Sequence, residues 1–233
     1  PMRKDGSFRP IRVGDRHIAG RAYLDACDRI ARRAWHDHSE ETLDWMWYMW
    51  CGLSSPLAGR KVKTFERTFV KDRSTWVEDQ DPYFELACRP DVCQHVLEEF
   101  GLYGEGGHII NGHTPVKARK GESPIKAGGK LFIIDGGFCE AYQKTTGIAG
   151  YTLVYNSHGL KIKAHMPFEG VAAAIDDNAD IESEAIQVER FSHRRYIADC
   201  DDGVQLRRRI QALEQLLAAY RSGEISEKGE RSK

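Results

Sequence analysis

The sequence lacks an excess of charge of either sign. Its 233 residues include 34 Lys and Arg against 35 Asp and Glu, which gives a formal net charge of -1. Proteins that bind nucleic acid generally carry a basic excess, so this balance argues against a general nucleic-acid partner. It leaves room for a local basic pocket that binds a small phosphorylated molecule.

Long hydrophobic runs and targeting segments are also missing. No stretch reaches the roughly 20 apolar residues that a membrane span needs, and no signal peptide opens the chain. The sequence therefore predicts no membrane partner.

Paired cysteine motifs are absent as well. The six cysteines include no Cys-x-x-Cys pair. Because 41% of the residues are hydrophobic, a chain of this length can bury a core without disulfides. We therefore expect reduced and mostly buried thiols in a cytoplasmic protein.

The first residues lack the features of a natural start. Pro1 precedes Met2, and residues 1–8 (PMRKDGSF) contain neither a targeting signal nor a helix start. This pattern predicts that the protein extends upstream of this sequence.

Residues 19–100 have mainly helical patterns. Between residues 19 and 37, apolar side chains recur on one stripe with Arg and Asp between them. Residues 90–100 begin with a proline and are followed by Gly101, which are typical helix boundaries. The sequence therefore predicts a helix over each of these two segments.

A tryptophan-rich segment lies between these two helices. Residues 43–50 (LDWMWYMW) hold three of the five tryptophans, with Ser39 placed to cap the segment and Gly52 to end it. The first interpretation is a buried core helix. The alternative is that residues 51–60, which follow it, form a loop at the edge of an active site.

Strand patterns dominate residues 107–191. The short apolar runs at 108–110 and 131–134 are bounded by glycine, as is typical of buried strands. Residues 151–166 alternate between apolar and polar around the turn at 156–159 (NSHG), which predicts a hairpin.

The remaining elements lie towards the end of the chain. Residues 184–191 have the pattern of a further strand. Residues 204–221 have the spacing of a tail helix that Gly223 would close. Asp201, Asp202 and the glycine after them are predicted to cap that helix.

Two of the predicted strands end in polar residues that can carry chemistry. His113 follows the first strand within NGHTPVK, where Gly112 allows a tight turn. Asp135 ends the second strand, directly before two glycines. Loops at the carboxyl ends of strands are where α/β folds place their chemistry, and a neutral imidazole there can ligate a metal.

These motifs resemble the calcineurin-like metallophosphoesterase superfamily. Its last metal motif is a Gly-His at a strand end, followed by a strand that ends in Asp and Gly, and its phosphatase branch often has Gly-His-Thr-Pro. Beyond GHTP, the segments IINGHTPVK, GESPIKAGGKLFIIDGGF, AYQKTTGIAGYTL and LDWMWYMWCG look like class III fructose-1,6-bisphosphatase, the large bacterial type. The resemblance extends over residues 2–227, nearly the whole chain.

The resemblance implies a fold and a reaction. The fold is a mixed α/β, four-layer α/β/β/α sandwich, of which residues 1–233 would be the carboxy-terminal portion of one phosphatase domain. In the reaction, two divalent metals, with manganese expected, sit about 3.5–4 Å apart and hold a hydroxide. That hydroxide attacks the 1-phosphate of fructose 1,6-bisphosphate in gluconeogenesis, and fructose 6-phosphate and phosphate are released.

His113 is the one residue that the resemblance identifies as a metal ligand. The superfamily's other motifs, which include Gly-Asp-x-x-Asp-Arg and Gly-Asn-His, do not occur. Residues 14–17 (GDRH) lack the second Asp-Arg, and residues 36–38 (HDH) fall at the end of a predicted helix. Because a dinuclear site needs several carboxylates, we expect the chain by itself to be inactive and the other ligands to lie upstream.

Several further residues are weaker candidates for the site. Asp135 either orients His113 or simply initiates the turn before Gly-Gly. Lys117, Lys126 and Lys130 either neutralise sugar phosphates or are solvated loop lysines. Tyr142 is predicted to line the pocket, and Arg60 is a candidate anion clamp that the sequence does not distinguish from Arg67.

Two other functions stay open at this level. The first is a sibling phosphatase that acts on phosphoproteins or dinucleoside polyphosphates. The second is a module that senses sugar phosphate or nucleotide without hydrolysing it, which the missing metal motifs favour. A homo-oligomer is compatible with each of these readings.

Overall fold

A computed structural model describes residues 1–52, 55–137, 139, 143–144, 146–147, 150–178 and 183–225. The chain forms two compact units, Pro1–Ala149 and Gly150–Lys233. Helices and sheets occur in both, so the expected mixed α/β class is confirmed. The division between the units falls inside the strand-rich segment 107–191.

The first unit opens with a small hairpin and two helices. Strands β1 (Ile11–Val13) and β2 (Arg16–Ile18) pair antiparallel, and helices α1 (Gly20–Asp37) and α2 (Glu40–Cys51) follow. Helix α1 ends at His38, which is left-handed with φ 49°. The predicted helix over residues 19–37 is therefore confirmed.

Helix α2 is not the buried core helix that its tryptophans suggested. Trp47 is 65% exposed and Trp50 is 80% exposed, whereas Thr42 and Met49 are the buried side chains of α2. Because successive residues of a helix point about 100° apart, tryptophans two and three positions apart cannot all face one core. The tryptophan-rich surface of this chain therefore faces outward.

Short helices fill the segment between α2 and the main sheet. They are α3 (Thr64–Phe69), a 3₁₀ turn (Arg73–Trp76), α4 (Tyr83–Leu86) and α5 (Pro90–Glu99). Helix α5 has proline in its first turn, as predicted, and buries Val92, Cys93 and Leu97.

The central sheet of the first unit has three short strands. They are β3 (Ile109–Asn111), β4 (Ile125–Lys126) and β5 (Leu131–Ile133), in the order β3–β5–β4. Strand β5 runs parallel to β3 and antiparallel to β4. Phe132 of β5 is 0% exposed, and Leu131 joins Ala87, Cys93 and Ala127 in a core cluster.

The second unit is built on the predicted hairpin. Its strands are β6 (Gly150–Asn156), β7 (Gly159–His165) and β8 (Ser183–Arg190), all antiparallel in the order β6–β7–β8. Helix α6 (Val171–Asp176) lies between β7 and β8 in sequence. Ile162 of β7 is 0% exposed, so the middle strand carries the centre of this sheet.

The last helix, α7 (Asp201–Ser222), starts earlier than the sequence suggested. Its N-cap is Cys200, so the prediction that Asp201 and Asp202 cap the helix is wrong. Both carboxylates instead lie in the first turn, where they stabilise the positive end of the helix dipole. Gly223 ends the helix in the left-handed conformation, as predicted.

All six cysteines are free thiols, but most are not buried. Cys93 is buried and Cys27 is intermediate, whereas the other four are exposed. The expectation of mostly buried thiols is therefore wrong, because most of these cysteines lie at helix ends or in loops. None of the described helices is both long and apolar enough to cross a membrane.

A cavity at two strand ends

Two parallel strands of the first unit end side by side at one cavity. Strand β3 pairs with β5 so that Asn111 lies opposite Ile133. A cavity of about 570 Å³ opens there, and the loop from Gly112 to Pro115 lines it directly after β3. The carboxyl ends of parallel strands meet at one sheet edge, so the loop after β3 and Ile133 at the end of β5 line the same cavity, whereas Asp135 is not among its lining residues.

His113 sits in this loop with an uncommon backbone conformation. Its φ is 67°, a left-handed value that costs a non-glycine residue on the order of 1–3 kcal/mol. The turn is held by backbone bonds: Thr114 N–H donates to the Gly112 carbonyl, and Val116 N–H donates to the Asp135 carbonyl, both at 2.8 Å. The backbone that follows the second strand thus anchors the loop that carries His113.

The Asp135 side chain has a turn-forming role. Its Oδ1 accepts a hydrogen bond from Gly137 N–H at 2.8 Å, which is the Asx-type interaction that the alternative reading described. Within the described part of the chain, no hydrogen bond joins Asp135 to His113. Its influence on His113 passes instead through its backbone carbonyl and the bond to Val116.

Two of the three candidate lysines line the cavity. Lys117 and Lys126 do so, together with Glu122 between them. The Glu122 carboxylate forms an ion pair with the Lys126 ammonium and accepts the Lys117 backbone N–H at 2.9 Å. Burial by itself raises the pKa of Glu122, but these two hydrogen bonds outweigh it and lower that pKa.

The other candidates lie elsewhere. Lys130 donates to Gln94 on α5 at 2.8 Å and is not among the cavity-lining residues. Arg60 lies 3.5 Å from Glu78, whose side chain is 8% exposed, and lines a separate depression. Arg67 contacts the same carboxylate at 3.6 Å, so these arginines share a structural ion pair. Tyr142 lies outside the described residues.

Tyr83 and Asn111 are cavity-lining residues that the sequence analysis did not single out. Both line the cavity, and the Asn111 side-chain nitrogen donates to the Tyr83 hydroxyl at 3.0 Å. Burial raises the pKa of Tyr83, although the hydrogen bond to Asn111 opposes this shift. Asn111 stood in the quoted motif directly before Gly-His, but Tyr83 lies 28 positions away and had no sequence signal.

An apolar wall completes the cavity. It is formed by residues of α1, of the loop after α2, of α4 and of β5: Leu24, Pro56, Leu57, Phe84, Ala87 and Leu131. The loop at residues 56–59 lines this cavity, and the alternative that the segment 51–60 lies at the edge of an active site stays a prediction. The cavity thus joins one apolar side with one side that carries lysine, carboxamide, phenol and imidazole groups.

The described residues do not by themselves form a metal centre. No group of three or more His, Cys, Asp or Glu side chains comes together anywhere in the described ranges. Besides His113, the cavity lining includes Asp81, Glu122 and Cys88. Asp81 already accepts the backbone N–H groups of Met2 and Tyr83, at distances from 3.0 to 3.2 Å.

The two rejected sequence motifs are also explained by the structure. Gly14 and Asp15 form the exposed turn between β1 and β2. His36, Asp37 and His38 form the exposed end of α1, where Asp37 accepts the backbone N–H of Ser39 at 3.0 Å. Neither motif lies among the residues of the cavity.

Comparison with known proteins finds one enzyme family by two routes, a family model and individual relatives. The model of the Firmicute fructose-1,6-bisphosphatase family matches residues 1–222. The chain is 46% identical to fructose-1,6-bisphosphatase class 3 1 of Clostridium beijerinckii, over 97% of this chain and 35% of that protein. It is also 46% identical to the class 3 enzyme of Alkaliphilus metalliredigens, over 97% of this chain and 35% of that protein.

The chain spans about 35% of the length of the curated relatives it matches. The class 3 enzyme of Clostridium botulinum strain Langeland is 44% identical over 99% of this chain and again 35% of its own length. No solved structure matches the chain.

Proposed function

The chain belongs to the Firmicute fructose-1,6-bisphosphatase family, and on this premise we propose that the whole protein hydrolyses fructose 1,6-bisphosphate. The products are fructose 6-phosphate and inorganic phosphate, and the reaction serves gluconeogenesis in the cytoplasm. The observation that carries the proposal is the 46% identity to a class 3 enzyme over 97% of this chain. Six unpaired thiols are compatible with a reducing compartment.

The substrate would bind in the cavity at His113. Lys117 and Lys126 supply the positive charge that a phosphate group requires. Because Lys126 is paired with Glu122, a bound phosphate competes with that carboxylate for the ammonium group. The same ion pair holds the Lys126 ammonium group at the cavity before the substrate arrives.

The neutral polar groups suit the sugar. The Asn111 carboxamide and the Tyr83 hydroxyl can each donate and accept hydrogen bonds, which matches the hydroxyl groups of a hexose. The apolar wall opposite, with Leu57 and Phe84, can pack against the C–H face of the sugar. These roles belong to the proposal and follow from the residue types that share the cavity.

Dependence on divalent metal is also part of the proposal, with manganese as the expected ion. His113 is this chain's proposed ligand, and its exposed position at a strand end allows that role. The cavity lining does not fit a dinuclear centre, because it provides one imidazole, and the described residues contain no cluster of three or more metal-ligating side chains. The other ligands must therefore come from outside the described residues.

The fold of the whole protein follows the same reasoning. We infer the four-layer α/β/β/α sandwich, with residues 1–233 as one portion of a single phosphatase domain. The exposed apolar side chains of α2 support this, because Trp47 and Trp50 would be buried by further polypeptide.

The test is phosphate release from fructose 1,6-bisphosphate with added manganese. It compares the chain alone with a full-length protein in which the remaining two thirds of a class 3 relative are restored. We expect activity only in the full-length form. There, His113→Ala should lower the activity by at least about 100-fold, since even residues that only support a ligand contribute 10- to 100-fold.

His17→Ala is the matched control, because His17 lies on the exposed hairpin strand β2. It should leave the activity within about 2-fold of the parent, since exposed side chains away from a site contribute little. Full activity of His113→Ala would contradict the proposed role of His113. Hydrolysis by the chain alone would contradict the proposal that the other metal ligands come from outside the described residues.

A second candidate function is binding without hydrolysis. The observation that favours it is the lack of a metal-ligating cluster among the described residues. In that case fructose 1,6-bisphosphate would raise the melting temperature of the chain by itself without releasing phosphate. A sibling phosphatase acting on phosphoproteins or dinucleoside polyphosphates is disfavoured by the names of the relatives, and a substrate panel on the full-length protein tests it directly.

A further inference from the structure

The second unit carries a basic loop that the proposed reaction does not use. We call residues 190–195 (RFSHRR) the arginine loop; it starts at the end of β8. It lines most of a cavity of about 710 Å³, to which Glu189, Tyr196 and Asp199 also contribute. None of these residues takes part in the cavity at His113.

Backbone hydrogen bonds fix both ends of the arginine loop to the hairpin turn. Phe191 N–H donates to the His158 carbonyl at 3.0 Å, and Arg195 N–H donates to the Ser157 carbonyl at 2.9 Å. The Phe191 ring also meets Tyr155 of β6 edge-on, with centroids 5.8 Å apart. The loop is therefore tied to the hairpin rather than held only by its chain connections.

Aromatic rings hold two of the guanidinium groups in place. The Arg195 guanidinium lies 4.0 Å from the centroid of Phe191, and the Arg194 guanidinium lies 5.6 Å from that of Tyr196. Stacking occupies the flat face of a guanidinium and leaves its N–H edge available. Binding at that edge then costs less side-chain entropy than binding to a free arginine.

The loop carries three arginines, and two carboxylates, Glu189 and Asp199, line the same cavity. Arg190, Arg194 and Arg195 are exposed, and none of them forms an ion pair within the described part of the chain. The nearby Asp199 carboxylate is engaged at 2.8 Å by the backbone N–H of Tyr196. The cavity thus gathers three arginines and His193 with two carboxylates, so positive charge is in excess around a space that holds far more than one water molecule.

We propose that the arginine loop binds a small anion with two or more phosphoryl groups. Guanidinium groups bind phosphate oxygens in a bidentate manner, and three of them on one short loop can engage more than one phosphoryl group. The volume of about 710 Å³ admits a diphosphate and the molecule that carries it. This ligand site goes beyond the proposed hydrolysis and does not depend on it.

The test is calorimetric titration of the full chain with pyrophosphate, with orthophosphate for comparison. We expect pyrophosphate to bind more tightly than orthophosphate. Arg194→Gln with Arg195→Gln should weaken pyrophosphate binding by at least about 10-fold, because charge-assisted hydrogen bonds are the strong class. The matched control is Arg208→Gln with Arg209→Gln, which removes the same charge from α7 and should change the affinity by less than about 2-fold.

Two further variants keep the test decisive. Arg194→Lys with Arg195→Lys retains the charge but loses the bidentate geometry, so it should bind pyrophosphate with intermediate affinity even if the glutamine pair disturbs the loop. Lys126→Gln identifies pyrophosphate that binds in the other cavity, because only that part of the measured binding should weaken when this lysine is replaced. Equal weakening by the α7 control, or no weakening by either change at Arg194 and Arg195, would overturn the proposal.

Discussion

Phe132 offers the sharpest test of the first unit's architecture. It is 0% exposed in β5, the middle strand of the sheet, and its ring lies 4.9 Å from that of His108. Replacing a buried phenylalanine by alanine removes its burial and leaves a cavity, at a cost of about 3–5 kcal/mol. Phe132→Ala should therefore destabilise the unit that carries His113 by that amount.

Urea denaturation followed by tryptophan fluorescence measures this effect on the first unit alone, because all five tryptophans lie between residues 35 and 76. With a slope of about 2 kcal/mol per molar urea, the midpoint should fall by about 1.5–2.5 M. The control is Phe69→Ala: Phe69 is 72% exposed and contacts Phe65, with centroids 5.0 Å apart. Its cost should stay below about 1 kcal/mol.

Equal midpoint shifts for Phe132→Ala and Phe69→Ala would refute the assignment of β5 to the core. If Phe132→Ala leaves no folded state to measure, Phe132→Leu provides the comparison. That change keeps an apolar side chain of similar size and should cost less than about 1.5 kcal/mol.

Two further predictions concern the backbone of the second unit and the acid side of the pH range. Gly159 has φ 143°, and a Cβ added there would lie 2.1 Å from the Glu189 carbonyl oxygen. Gly159→Ala should therefore speed amide hydrogen exchange in β7. The control is Gly170→Ala, where φ is 115° and an added Cβ would meet no atom within 4 Å, so its effect on β7 should be far smaller. The Ser39 backbone N–H is the largest cause that lowers the pKa of Asp37, to about 2. Since this folded-state pKa is depressed, the stabilisation is present above about pH 4 and is lost as the pH falls through about 2. An NMR titration of the Asp37 carboxyl with a midpoint near pH 4 would contradict this lowered pKa.

The local elements were largely predictable from the sequence. Residues 151–166 alternate with period two around a turn, and they form β6 and β7 with Asn156 paired to Gly159. Prolines and glycines marked the start of α5 and the end of α7. These features depend on neighbours in sequence, since periodicity and turn residues act over a few positions.

The candidate site was predictable only in part. His113, Lys117 and Lys126 belong to one contiguous segment, so a motif could identify them together, and they do line one cavity. Lys130 lies in the same segment but turns to Gln94 on α5. Tyr83 joins the cavity from α4, and no local pattern marks a residue that distant in sequence.

The sequence by itself determined the family, the class of the fold and the order of most helices and strands, because these follow from motifs and from patterns of short range. The tertiary structure decided which strand ends meet, which lysines line the cavity, and that Trp47 and Trp50 face outward. Those outcomes depend on strand pairing and on packing between elements far apart in the chain. An alternation of apolar and polar residues specifies that a face is buried, but it does not specify which other element buries it.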